Sequence, residues 1–145
     1  MHVLLSIRPQ FARLIFQGTK KYEYRKAIFG NEEVDTILVY ACQPVGMIVG
    51  ELKIEDILCA SPGALWRKTR KHAGVSRTFF FEYFSGRDRG YAIKIGAVAL
   101  YERPIDPYEV LESFTPPQSF MYLMSPPSWD NEVAEPATSL ACLNG

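Results

Sequence analysis

Gly18-Thr19-Lys20-Lys21-Tyr22-Glu23-Tyr24-Arg25-Lys26 is the stretch on which the reading of this chain turns. Tyr22 and Tyr24 alternate with charged neighbours, a period of two that predicts a β-strand over Lys20–Lys26. Successive side chains of a strand leave on opposite faces, so Glu23 and Arg25 share one face and the two tyrosines the other. Exposure to water is the default for a charged face. If the face lines a cleft instead, a carboxylate and a guanidinium stand side by side as acceptor and donor. That arrangement suits a planar polar ligand such as a nucleobase.

The flanks supply the rest of a small α+β domain. Val3–Ile7 reads as a strand, and Pro9 opens a helix to Gln17 whose stripe is Phe11, Leu14 and Ile15, with Gly18 as its stop. Thr36–Ala41 is an apolar strand, followed by a turn at Pro44 and a long strand over Gly46–Leu58 with a bulge expected at Gly50. Ser61 and Ser76 are placed as N-caps of two helices, the first carrying the basic run Arg67 to Lys71 and the second running over Arg77–Phe84. The spacing of Phe79, Phe80, Tyr83 and Phe84 on the second suggests a core face rather than a stacking platform. A tight turn at 86–90 leads to a strand over Tyr91–Tyr101, a short helix near Pro107 and a last strand over Ser119–Leu123. The expected architecture is a small curled or closed antiparallel sheet with short helices at its ends.

At 145 residues the chain is expected to form one domain over 1–124, followed by an acidic tail over 125–145 that is rich in Pro, Ser and Ala and expected to be disordered. The 48% apolar and 22% charged residues are ordinary for a soluble globular protein. No apolar run is long enough to span a membrane, and the N-terminus is read as a strand rather than a signal peptide. Cys42, Cys59 and Cys142 show no metal-ligand spacing, and an odd count suggests reduced thiols in a cytoplasmic protein. His2 and His72 have no ligating neighbours in sequence, so neither a metal nor a cofactor is expected. Net charge is zero, yet residues 1–124 hold 16 basic against 13 acidic residues. The basic residues cluster in Arg8–Lys26 and in Trp66–Lys94, which suggests a local anionic partner.

The order of these segments, with Gly18-Thr19-Lys20-Lys21-Tyr22-Glu23-Tyr24-Arg25 at its centre, resembles the ASCH domain family of the PUA-like superfamily. Ser6-Ile7-Arg8-Pro9 and Val39-Tyr40-Ala41-Cys42-Gln43-Pro44 are similar to segments of the same subgroup, often described as predicted regulators, and Pro117–Tyr122 is a weaker match. The resemblance implies a PUA-like β-barrel of five to six strands with two to four short helices, and a cleft lined by the signature strand and the helix before it. It implies binding of RNA or of a modified nucleobase; one branch removes an acyl group from acetylated cytidine and another cleaves RNA. In the amidohydrolase branch the working set resembles a Lys, a Thr and a Glu. Here the Lys is Lys20, the Thr position holds Glu23, and the Glu position falls near Ala73. Where some relatives carry a basic residue after the Val-Tyr-Ala segment, this chain has Gly46.

On this reading the chain is a binding module for RNA or a nucleoside, with a small RNA- or nucleoside-acting enzyme as the alternative. The candidate ligand-binding residues are Arg8, Lys20, Glu23, Arg25, Tyr40 and Ser119. Lys20 can hold an anion, Glu23 can accept from an exocyclic amine, and Arg25 can fork onto an anion or a base edge. Tyr40 can stack on a base, although packing is the commoner role of such a tyrosine. Were the protein an enzyme, Lys20 and Glu23 would be its catalytic groups. Arg67, Lys68, Lys71, Arg87 and Arg89 are candidates for phosphate contacts that carry no sequence information.

Overall fold

The computed structural model describes residues 1–111, 114–117, 120–123 and 133–134. Strand β1 (His2–Ile7) runs into helix α1 (Pro9–Gln17), which starts at a proline and is closed by Gly18 in the left-handed conformation. Strand β2 (Tyr22–Arg25) follows, then β3 (Thr36–Ala41) and the 14-residue β4 (Met47–Ala60). Ser61 caps α2 (Pro62–Thr69) by accepting from the Ala64 amide, and a 3-10 turn over Arg70–His72 extends it. Ser76 caps α3 (Arg77–Tyr83) through the Phe79 amide. Strand β5 (Gly90–Ile105), α4 (Pro107–Val110), β6 (Phe120–Leu123) and the two-residue β7 (Val133–Ala134) complete the described chain.

The strands form one curled sheet in the order β2-β5-β4-β3-β1-β6, with β7 pairing β5 at Leu100 and Tyr101. Curling follows from the two long strands, whose ladder shifts register at Ile48/Gly50 and twice more between Leu52 and Asp56. Gly50 sits at the first shift, where a β-carbon would stand 2.4 Å from the Ala99 carbonyl oxygen. The bulge expected there is thus a close approach of two backbones.

One pairing departs from the antiparallel expectation: β1 and β3 run parallel, Val3 opposite Ile37 through Ile7 opposite Ala41. The segment between them contains α1 and β2, a crossover long enough to bring the chain back in the same direction. Val133–Ala134, within the stretch expected to be disordered, is a strand on β5, while the rest of 125–145 lies outside the described residues.

Two apolar layers frame the space that matters. Ala12, Ile15 and Phe16 of α1 pack with Val3, Leu5, Val39, Val49 and Leu52 on the inner face of the sheet. Phe80 of α3, Phe84 directly after it and Leu65 of α2 pack on Tyr24 and Ala92 of the β2/β5 pair. β2 lies between these layers at the sheet edge, so its two faces see different surroundings.

Candidate ligand-binding site

The strand alternation read in residues 18–26 holds in the structure. Tyr22 and Tyr24 join the cluster beneath α2 and α3, and the Tyr24 ring meets those of Phe80 and Phe84 edge to face at 4.9 and 6.2 Å. Glu23 and Arg25 face each other on the other side, with Arg25 Nη1 3.5 Å from Glu23 Oε2. Arg25 Nη1 also lies 3.4 Å from the Ser6 carbonyl oxygen, which ties β2 to the end of β1. Both charged side chains are largely buried, at 9% and 11% exposure. Their separation exceeds the 2.7–2.9 Å of a tight charge-assisted bond, so the pair leaves acceptor capacity on Glu23 for a further donor.

Lys20 is the most buried ionic side chain described, at 1% exposure. The turn after α1 delivers it, since the amides of Thr19 and Lys20 both donate to the Leu14 carbonyl at 3.0 Å. Neighbouring Lys21 locks the backbone by donating to the His72 carbonyl and accepting from the Ile95 amide. The Lys20 ammonium donates to the Ala73 carbonyl at 2.7 Å and lies 4.8 Å from the Tyr24 ring centre and 5.5 Å from that of Phe11. Burial lowers its pKa from the ordinary lysine value, and the Glu23 carboxylate works in the opposite direction.

These groups line one cavity of about 130 Å³. Its polar wall is Arg8, Lys20, Glu23 and Arg25, and its apolar wall is Phe11, Tyr24, Val75, Phe79, Phe80 and Tyr83. Arg8, Lys20, Glu23 and Arg25, four of the six candidate residues, thus line one cavity. Tyr40 does not line it: it is fully buried in the cluster of Leu4, Ile48, Tyr101 and Phe114, where its ring meets Phe114 at 5.5 Å. Its hydroxyl is buried, with the Gln43 side chain beside it. Burial raises the pKa of that hydroxyl, with smaller contributions from Tyr108 and Cys42. Ser119 lies outside the described residues. Arg67, Lys68, Lys71, Arg87 and Arg89 are exposed, and none lines the cavity. Among the described residues no cluster of His, Cys, Asp and Glu could hold a metal, and no helix is long and apolar enough to cross a membrane.

The sequence reading missed the aromatic wall. The spacing groups Phe79, Phe80, Tyr83 and Phe84 on one core face, but only Phe80 and Phe84 are fully buried. The signal was the doubling, Phe79-Phe80 and Tyr83-Phe84. Adjacent residues on a helix point about 100° apart, so two aromatic stripes are wider than one packing surface.

The model of the ASCH domain matches residues 5–120. A protein of Zymomonas mobilis named "ASCH domain-containing ribonuclease" is 29% identical over 126 residues, covering 83% of this chain and 82% of that one. The crystal structure of ASCH from Zymomonas mobilis superposes with a TM-score of 0.79 at 29% identity, over 84% of this chain and 87% of that one. Crystal structures of its tyrosine-to-phenylalanine and serine-to-alanine variants match equally well, at 28% identity. The large ribosomal subunit protein uL22 of Ureaplasma parvum is 26% identical over 123 residues, and the match covers 83% of this chain but 39% of that protein. Curled sheet, helical excursion and signature strand agree with the small α+β, PUA-like fold expected from sequence, and the chain belongs to the ASCH domain family.

Proposed function

We infer that the cavity binds a single-ring nucleobase, presented by RNA or by a nucleoside. The observation that carries this is the hollow of about 130 Å³ with the Glu23–Arg25 pair on its wall. An apolar cavity of about 150 Å³ admits a benzene ring, so one flat ring fits and a purine would crowd. Glu23 accepts from a ring or exocyclic N–H, Arg25 donates to a ring nitrogen or carbonyl, and the aromatic wall covers the faces. Arg67, Lys68, Lys71, Arg87 and Arg89 add sequence-independent attraction for a polyanion. A cytoplasmic setting, where RNA is abundant and Cys42 and Cys59 stay reduced, suits this reading.

Binding is favoured over acyl-amide hydrolysis because of what stands beside Lys20. The Glu position of the amidohydrolase branch falls near Ala73, whose carbonyl instead accepts a hydrogen bond from the Lys20 ammonium. Titration of cytidine, uridine, adenosine and a short single-stranded RNA at low salt tests the reading. Pyrimidines should bind, with at least about a tenfold loss (about 1.4 kcal/mol) in Glu23→Gln. Absence of binding by all four, or equal binding by the variant, would overturn it.

A second reading, RNA cleavage, has support in the name of the Zymomonas mobilis relative. On this reading single-stranded RNA is cut by the wild type and spared by Lys20→Ala or Glu23→Ala, the two groups that line the cavity and could act as acid and base. Cleavage that survives both changes would remove this assignment of the site.

A further inference from the structure

Two cations stand over the cavity-side rings of α3. The Arg8 guanidinium lies 5.7 Å from the Phe79 ring centre and the Lys26 ammonium 4.8 Å from that of Tyr83. The two rings are one helical turn apart, parallel to within 7°, with centres 6.4 Å apart. Arg8 comes from the end of β1 and Lys26 from the end of β2, yet both arrive at the same strip of one helix. Both side chains are exposed, and neither is ion-paired with a carboxylate among the described residues. A ring face orients a cation without neutralising it.

The inside of the cavity is already equipped with charge, with Glu23 beside Arg25 and Lys20. A free nucleoside carries no phosphate for Arg8 at the rim of the cavity or for Lys26 beyond it. A nucleotide within a strand carries one phosphate on each side. Resting on the base-binding reading, we propose that the mouth grips a continuous single-stranded polynucleotide. Arg8 and Lys26 take the phosphates flanking the nucleotide whose base enters, and the Phe79–Tyr83 strip supports the sugar or base beside it. Lys26 has no role in the pocket itself, so this assigns it one.

The test compares cytidine with a five-residue oligocytidylate on wild type and on the Arg8→Gln, Lys26→Gln double variant across a salt series. The wild type should prefer the oligonucleotide by at least about tenfold at low salt. In the double variant that preference should collapse, and the slope of log affinity against log salt should become shallower by about 1.4, two phosphates at about 0.7 each. The charge-preserving Arg8→Lys, Lys26→Arg variant should restore the slope. An unchanged slope and preference in the double variant would overturn the proposal, as would a fall that the charge-preserving variant does not reverse. Failure of the base pocket looks different: neither cytidine nor the oligonucleotide would then respond to Glu23→Gln.

Discussion

Gly74 rests directly on the side-chain stem of Lys20. A β-carbon at residue 74 would stand 2.5 Å from the Lys20 Cγ and 2.6 Å from its Cβ, and the glycine has a φ of 68°. The lysine is thus clamped between a bare backbone and two aromatic rings, with its ammonium on the neighbouring Ala73 carbonyl. Gly74→Ala should cost about 2–4 kcal/mol, from left-handed backbone strain and overpacking together. It should also weaken nucleoside binding by displacing Lys20. Urea unfolding checks the first, and a stability within about 0.5 kcal/mol of wild type would mean that the clamp is loose.

The buried ammonium makes stability depend on pH in a known direction. Burial lowers the folded-state pKa of Lys20 below 10.5, so between that lowered value and 10.5 the unfolded chain holds a proton that the folded chain has released. Stability then rises with pH across that window, and the cost of the buried charge is greatest below it. Relative to Lys20→Met, the wild type should gain stability as pH approaches 10.5. Chemical denaturation of both proteins from pH 7 to 10.5 provides the comparison, and a constant difference would contradict the desolvated lysine.

Glu23 and Arg25 should be coupled rather than merely adjacent. Removing one partner leaves the other largely buried without its counter-charge, so Glu23→Ala is expected to cost about 3 kcal/mol. A double-mutant cycle with Glu23→Gln and Arg25→Gln should return an interaction of at least about 1 kcal/mol. Additive single effects would show that each charge is satisfied elsewhere.

At high pH the tyrosines act against the fold. Burial pushes the Tyr24 hydroxyl up to about 12, while its bond to Thr69 pulls the other way. The folded chain therefore keeps a proton that the unfolded chain loses near pH 10, and stability falls as pH rises from about 10 to 12. Tyr101, raised by burial and by Glu51, adds to the fall. Tyr24→Phe should lose about 0.5–1.5 kcal/mol at neutral pH through the missing bond to Thr69. It should also show a shallower alkaline decline, and an equally steep one would remove Tyr24 from the account.

Much of this protein is legible along the chain because the relevant physics is local. Ser61 and Ser76 cap helices where a hydroxyl can reach an amide three residues on, and prolines open α1, α2 and α4. The period-two pattern at 22–25 places Glu23 and Arg25 on one face whatever their neighbours are. Other features depend on how elements dock. The parallel β1–β3 pairing follows from where the crossover returns the chain. The partner of Lys20 is a backbone carbonyl 53 positions away, which no side-chain pattern can announce. Whether Phe79 faces a cavity or a core, and whether Tyr40 meets a ligand or other core rings, is decided by the packing of α3 and of the sheet. A sequence encodes the direction in which each side chain leaves its own strand or helix; what stands opposite is a property of the assembled layers.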